Sequence, residues 1–315
     1  MKIITLFCNV TTEKFLEITS EIEGYKKIGF SNNDQKRYKE YCDLAINSFK
    51  KWNPDIEVVY LNDDNILDYI KLFGCKLINS PIGQKFNLGL EVMKYFKADK
   101  LIILDLDTIT CSRLDEMIDN NEHDILVSLN YNIQEGNEYF TSPHFTLEFE
   151  NNITIKDSAN INSGVVCFNN IKALEKALEL TIIHPNYFGD QGALNELLWS
   201  HGTFTYKILD GPWPLSEVSY NVRSKGVNFT EQIFQLAKNN NGQSYISRYY
   251  VKDNKLFTPD DKHIKVWHLA EGMHGRSNEK FEELTKIIKT ILFNKETVKF
   301  FREKCDGDSF FNIDI

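Results

Sequence analysis

A run of apolar residues in this chain leads directly into two acidic residues. The stretch LIILDLDTIT, residues 101–110, contains Asp105 and Asp107. A short apolar run bounded by polar residues predicts a strand that is buried on both faces, as in a parallel sheet. Unpaired carboxylates are costly to bury, so we expect both acids at the carboxyl end of the strand, where open α/β sheets bind ligands.

The chemistry of two such acids favours a metal site. Carboxylate oxygens are ligands for Mg²⁺ and Mn²⁺, which often bridge protein acids to a diphosphate. The more specific hypothesis is therefore that these acids bind a divalent cation that also contacts a nucleotide. The simpler alternative is a polar strand end at which one acid caps a turn.

The elements around this strand alternate in the order β, α, β, α, α, β. Strand patterns at IITLF and IEVVYL alternate with helical patterns at QKRYKEYCDLAINSFKKW, NILDYIKLF and FNLGLEVMKYF. This order predicts parallel strands with right-handed crossovers. Further along, DILVSLN and NSGVVCFN are predicted strands, and residues 131–159 between them are predicted to form a long loop or an inserted hairpin. DQGALNELLWSHG is a predicted helix with Asp190 as its N-cap and Gly202 at its end.

The composition is that of an ordinary globular protein, with 315 residues of which 42% are hydrophobic and 26% are charged. The net charge of −9 argues against nucleic acid as the main partner. Six scattered cysteines without metal-binding spacing indicate reduced thiols. No apolar stretch has the length of a transmembrane helix, and the first residues lack a cleavage site, so we expect a cytoplasmic protein.

Four segments occur in an order that matches a known family. They are KADKLIILDLDTITCSRLDEM, NINSGVVCFN, FGDQGALNELL and VWHLAEGMHGR. Together they resemble glycosyltransferases of the GT-A fold, and most closely family 8, the glycogenin and bacterial galactosyltransferase type. The resemblance covers roughly residues 1–276 and implies a Rossmann-like, mostly parallel central sheet flanked by helices. Residues 277–315 would form a C-terminal helical extension packed on this domain.

The resemblance also implies an activity and its residues. The activity is metal-dependent transfer of a sugar, with retention of anomeric configuration, from a nucleotide-sugar donor (a UDP-sugar) to an acceptor hydroxyl of a carbohydrate, glycan or glycosylated protein. Mn²⁺ or Mg²⁺ would be held by Asp105, Asp107 and His268. The implied donor-binding residues are Thr5, Asn9, Lys85, Asp105, Asn130, Asn162, Ser163, Gly272 and Arg276, and the implied catalytic residues are Asp190 and Gln191. Asn130 stands where many members have an aspartate, and Arg276 lies in the region of a phosphate-binding lysine.

Simpler interpretations of these residues remain open. Lys85 is alternatively a solvated surface lysine, His268 a packed residue beside Trp267, and Asp190 only a helix cap. DLDTI also imitates the DxDxT motif of haloacid dehalogenase-type phosphatases, but about a hundred residues precede it, and a threonine follows where glycine is usual. A nucleotidyltransferase and a catalytically silent glycan-binding protein are the other two functional classes. The first generally has a glycine-rich basic N-terminal loop, which TLFCNVTTEKF does not offer.

Overall fold

The computed structural model describes residues 1–10, 14, 17–18, 34–74, 84–106, 108–129, 131–133, 139–141, 161–183, 189–200, 202–209, 215–216, 250–252, 255–257, 263 and 265–268. The strands are β1 (Ile3–Asn9), β2 (Glu57–Asn62), β3 (Lys100–Leu104), β4 (Thr108–Thr110), β5 (Ile125–Leu129), β6 (Tyr131–Ile133), β7 (Tyr139–Thr141), β8 (Ile161–Phe168), β9 (Tyr206–Ile208), β10 (Leu215–Ser216), β11 (Tyr250–Lys252), β12 (Lys255–Phe257) and β13 (Val266–His268). The helices are α1 (Asp34–Trp52), α2 (Ile66–Phe73), α3 (Gln84–Phe96), α4 (Asp115–Asp119), α5 (Ile171–Ile183) and α6 (Gly189–Ser200).

A six-stranded sheet with the strand order β2-β1-β3-β8-β5-β9 forms the centre of the fold. Strand β1 runs parallel to β2 on one side and to β3 on the other, with Leu6 opposite Ile103 in the second pairing. Strand β9 runs parallel to β5. The predicted α/β class and the parallel arrangement of the first three strands are confirmed.

Strand β8 is the exception, because it runs antiparallel to both β3 and β5. The pairing shows at which edge β8 begins. Strand β5 runs in the same direction as β3 and ends at the carboxyl edge of the sheet, and β8 begins at that edge. A strand that begins at the carboxyl edge must run back across the sheet. Val165 therefore lies beside the end of β3, and the first residues of β8 extend beyond it.

Both faces of the sheet are covered, as the continuous apolar run in β3 predicts. Leu101 and Ile103 pack with Phe86 of α3 in one cluster of buried residues. Ile102 and Leu104 point to the other face and join the cluster that contains Phe49 of α1. All five residues of β3 are buried. This strand is consequently held in place from both sides before it reaches Asp105.

Helix α3 packs very closely on the sheet. A Cβ added to Gly89 would lie 2.9 Å from Cδ2 of Leu101 and 3.3 Å from Cδ1 of Ile103. The absence of a side chain at this position lets the helix backbone approach β3. This approach fixes the start of α3, where Lys85 lies.

A second, smaller sheet has the strand order β4-β13-β10-β6-β7. Strands β6 and β7 pair antiparallel, so the first part of the predicted insertion, residues 131–141, contains a hairpin. Residues 142–159 and the predicted extension, residues 277–315, lie outside the described residues. Among the helices that the structure describes, none combines the length and apolar character needed to cross a bilayer.

Replacing Gly89 with valine should destabilise the protein by about 1–3 kcal/mol, because the new side chain would overpack the interface between α3 and β3. Urea unfolding measures the change. Lys94→Val on the exposed side of the same helix is the control, since it has the same β-branched residue without the close contact. Its effect should stay within roughly 0.5 kcal/mol. Equal losses in the two variants would mean that α3 does not depend on the close approach at Gly89.

Candidate functional site

The end of β3 is a tight turn. The backbone N–H of Thr108 donates to the carbonyl oxygen of Asp105 at 3.1 Å, and the Thr108 hydroxyl donates to the same oxygen at 2.5 Å. Strand β4 then begins at Thr108 and belongs to the second sheet. The turn therefore marks the point at which the chain passes from one sheet to the other, and Asp105 stands at its first position.

Lys85 links three parts of the site through its side-chain ammonium group. Its Nζ contacts Asp105 Oδ1 at 2.8 Å and donates to the carbonyl oxygen of Ser163 at 3.2 Å. The same Nζ forms an ion pair with Asp190 Oδ2. Its side chain is only 14% exposed, so the alternative of a solvated surface lysine is wrong.

The charge of Lys85 depends on these partners. Burial by itself would lower the pKa of Lys85, but the carboxylates of Asp105 and Asp190 outweigh that effect and raise the pKa above its usual value. Lys85 is the second residue of α3, where the helix dipole disfavours a cation. The two acids therefore account for a charged lysine at an otherwise unfavourable position.

Asp190 reaches Lys85 from the start of α6. The helix begins at Gly189, so Asp190 lies in its first turn, and the prediction that it is the N-cap is wrong. A carboxylate in this turn is stabilised by the helix dipole. Its side chain is 10% exposed and is engaged with Lys85. Gln191 follows on the same turn and is partly exposed.

The predicted end of the helix is confirmed, because Gly202 has a left-handed φ of 55° just after Ser200.

The NSG segment at the start of β8 forms a bulge. Val127 of β5 pairs with Val166, but the next residue, Ser128, pairs with Asn162. Ser163 and Gly164 lie within this irregular interval. Asn162 Oδ1 accepts a hydrogen bond from the Gly164 N–H at 2.7 Å, and the Gly164 carbonyl accepts one from Asp105 N–H at 2.9 Å. Bulges next to binding sites commonly redirect backbone groups, and this one directs the Ser163 carbonyl to Lys85.

The backbone of His268 comes close to the acidic turn. Strand β13 pairs antiparallel with β4, and His268 is opposite Thr108, the residue that follows Asp107 in the chain. Asp107 and the side chain of His268 lie outside the described residues. Among the side chains that the structure describes, no three His, Cys, Asp or Glu groups form a metal cluster. The strand register nevertheless fits the predicted ligand set of Asp105, Asp107 and His268.

Strand β1 carries two predicted donor contacts, Thr5 and Asn9, and the structure places them differently. Thr5 is fully buried and pairs with Ile102, three residues before Asp105, so the structure does not bring Thr5 to the site. Cys8 comes level with Asp105 when the parallel register is continued. Burial raises the pKa of the Cys8 thiol to about 11; the hydrogen bond with the Val10 backbone and the charge of Lys85 lower it less strongly, and Asp105 adds to the rise. Asn9, whose backbone ends β1, is one residue further along.

The structure thus brings together Lys85, Asp105, Ser163 and Asp190, with Asn162 and Gln191 next to them. The predicted residues Asn130, Gly272 and Arg276 lie outside the described residues, as does Asp107. Two features were missed from the sequence: the position of Cys8 and the shared pairing of Lys85 with both acids. The position of Cys8 could have been found by aligning the ends of β1 and β3, because parallel strands end at the same edge of a sheet. The second has no local signal in the sequence.

Chemically, the described part of the site is acidic. Lys85 offsets one of the two carboxylates that it contacts, which leaves one net negative charge, and Asp107 would add another. Such a site is suited to a divalent cation and, through it, to an anionic ligand such as a diphosphate. The Asp190 carboxylate at the side of this cluster can stabilise positive charge on a bound molecule.

Several solved structures similar to this chain are glycosyltransferases. Mouse xyloside xylosyltransferase 1 in its apo form has 13% sequence identity and a TM-score of 0.46, and the match covers 87% of this chain and 99% of that chain. A glycosyltransferase involved in the glycosylation of the major capsid of PBCV-1 has 12% identity and a TM-score of 0.44, and the match covers 91% of this chain and 100% of that one. The galactosyltransferase LgtC in complex with donor and acceptor sugar analogs has 13% identity and a TM-score of 0.41, and the match covers 91% of this chain and 96% of that chain.

No protein-family model matches the chain, and no curated protein sequence matches it. The structural likenesses concern the fold, so a function for this chain has to be argued from the residues of the site.

Replacing Lys85 with methionine should destabilise the protein by about 3 kcal/mol at neutral pH, because Asp105 and Asp190 would lose the cation that they share. Urea unfolding measures the loss. Lys172→Met is the matched control, since Lys172 is 73% exposed and pairs only with Glu175 among the described residues. That surface pair should contribute at most about 1 kcal/mol. A Lys85 variant as stable as the Lys172 variant would contradict this account of the site.

Proposed function

We propose that this chain is a metal-dependent glycosyltransferase that moves a sugar from a UDP-sugar to an acceptor hydroxyl with retention of anomeric configuration. The observation that carries the proposal is the pairing of one buried ammonium group, on Lys85, with Asp105 at a strand end and Asp190 at a helix start. These groups meet at the carboxyl edge of the sheet, the usual ligand position in open α/β sheets.

The residues present fit a divalent metal. Asp105, Asp107 and His268 would hold it, and the register of β13 against β4 supports this set. Lys85 offsets only part of the negative charge of Asp105, Asp107 and Asp190, so an additional cation is required before a diphosphate can approach. When bound, Mn²⁺ or Mg²⁺ would offset the charge of the diphosphate leaving group.

Lys85 would also act on the donor. Its ammonium group lies between the acid at the end of β3 and the acid at the start of α6, so it keeps both carboxylates oriented. Positive charge at this position also stabilises the leaving diphosphate as its negative charge develops. Asn9, Asn130, Asn162, Ser163, Gly272 and Arg276 are the further donor contacts that we propose.

Asp190 and Gln191 would act at the sugar. The anomeric carbon gains positive charge when its bond to the phosphate oxygen breaks, and a nearby carboxylate stabilises that charge. The ion pair with Lys85 weakens Asp190 as a nucleophile, and Gln191 is a poor one. We therefore favour attack by the acceptor hydroxyl on the face that the leaving group occupies. The new bond joins the acceptor oxygen to the anomeric carbon, and the hydroxyl proton passes to the departing UDP.

A UDP-hexose panel tests this function. With Mn²⁺, the protein should release UDP slowly from at least one donor by transfer to water, and EDTA should abolish the release. Asp107→Asn should reduce it at least about 100-fold, because the metal would lose a charged ligand. Asp107 is preferred to Asp105 as the target, since a change at Asp105 would also break the ion pair with Lys85. Asp43→Asn on the exposed side of α1 is the control and should keep the wild-type rate.

Different products distinguish the alternatives. A nucleotidyltransferase would instead release pyrophosphate from a nucleoside triphosphate and a sugar phosphate. A glycan-binding protein would bind saccharides and release neither product. UDP release that is unchanged by EDTA and by Asp107→Asn would contradict the metal-dependent mechanism.

A further inference from the structure

Asn195 is not one of the predicted site residues, yet its side chain joins the start of β8 to the first turn of α6. It is on α6, one turn after Gln191, and it is 2% exposed. Its Oδ1 accepts a hydrogen bond from the backbone N–H of Ile161 at 2.9 Å, and its Nδ2 donates to the Ile161 carbonyl at 3.2 Å. The same Nδ2 donates to the carbonyl of Gln191 at 2.8 Å.

The two bonds to Ile161 replace those of a neighbouring strand. In a sheet the N–H and C=O of one residue point to the same side and pair with the strand there. Strand β3 ends at Leu104, which pairs with Val165, and one further backbone bond joins Asp105 to Gly164. Ile161 lies beyond that point, at the start of β8. Its buried backbone groups need a partner, and the amide of Asn195 provides both the donor and the acceptor.

On the side that faces away from β5, this arrangement fixes the end of the bulge that lies beyond β3; on the other side Ile161 pairs with Leu129. Ile161 immediately precedes Asn162 and Ser163, whose interval is irregular in its pairing with β5. On the other side of the bulge, β8 is held by regular pairing with β3. Apolar packing of Ile161 against Ala193 and Leu194 also holds α6 to β8, and the amide of Asn195 adds directional hydrogen bonds at the residue next to the bulge.

We infer that Asn195 is a positioning residue, which sets the placement of Asp190 and Gln191 relative to the bulge at Ser163 and thereby to the bound donor. This inference rests on the proposed function for its effect on turnover, but not for its effect on the fold. A misplacement of about 1 Å far from the reacting atoms can lower a rate about 100-fold. The metal and the nucleotide would be held mainly by other elements, so donor binding should change little.

Asn195→Ser is the informative variant. A serine hydroxyl can still donate to the carbonyl four residues earlier, on Gln191, but it is too short to replace the two bonds to Ile161. The chain offers a matched control in Asn53, which is fully buried. Its Nδ2 donates to the Phe49 carbonyl four residues earlier, and its Oδ1 accepts from the Leu114 N–H, far from the site in the fold.

Two measurements are made on both variants. The first is amide hydrogen exchange at Asp105, whose N–H donates to the carbonyl of Gly164 within the bulge. In Asn195→Ser this exchange should become about tenfold faster, the factor expected from one weakened hydrogen bond, and in Asn53→Ser it should not change. The second is UDP-sugar turnover. In Asn195→Ser, kcat should fall about 100-fold while KM for the donor stays within about threefold of wild type.

Unchanged exchange at Asp105, or unchanged kcat in an active enzyme, would overturn the inference. So would an Asn195→Ser protein that fails to fold while Asn53→Ser folds, because the residue would then be purely structural. If the wild-type protein releases no UDP from any donor, the proposed function fails. In that case amide exchange alone still decides whether Asn195 fixes the bulge.

Discussion

The site depends on one ammonium group that two carboxylates share. Asp105 comes from the end of a central strand, Asp190 from the start of a helix about 85 residues later in the chain, and Lys85 from the start of another helix. Two acids this close would repel each other if they were left alone, and each would be costly to desolvate. The lysine makes their proximity possible, and its own charge is maintained by them. Each of the three residues is therefore in place because of the other two.

The fold supplies the rigid supports that such an arrangement requires. Strand β3 is buried on both faces, so Asp105 is held in position. Close packing of α3 on that strand at Gly89 fixes the helix that carries Lys85. The reversal of the chain after β5 brings the start of β8 to the same edge, with a bulge that turns the Ser163 carbonyl to the lysine. Asn195 then joins this bulge to the helix that carries Asp190. A shift of any one of these elements would therefore move Asp105 or Asp190.

The parts of this arrangement that follow from local pattern were predictable from the sequence. The apolar run before Asp105 predicted a strand buried on both faces, and the alternation of elements predicted the parallel pairing of β1, β2 and β3. The direction of β8 was not predictable in this way, because an antiparallel strand with both faces buried has the same apolar composition as a parallel one. The role of Lys85 depends on contacts between residues far apart in sequence, and a lysine at the start of a helix has the same local sequence whether it is solvated or paired. Thr5 was placed at the site by resemblance alone, whereas the register puts it three residues inside the sheet.

Lys85 converts a repulsion between Asp105 and Asp190 into a stabilising contact. A double-mutant cycle tests this role by measuring how Asp105→Asn changes the free energy of unfolding in two backgrounds, wild type and Lys85→Met, at neutral pH. In the wild-type background the substitution should lower the free energy of unfolding, because it removes one partner of the lysine. In the Lys85→Met background it should raise that free energy, because it removes one of two carboxylates that repel each other. A change of the same sign and size in both backgrounds would contradict the account.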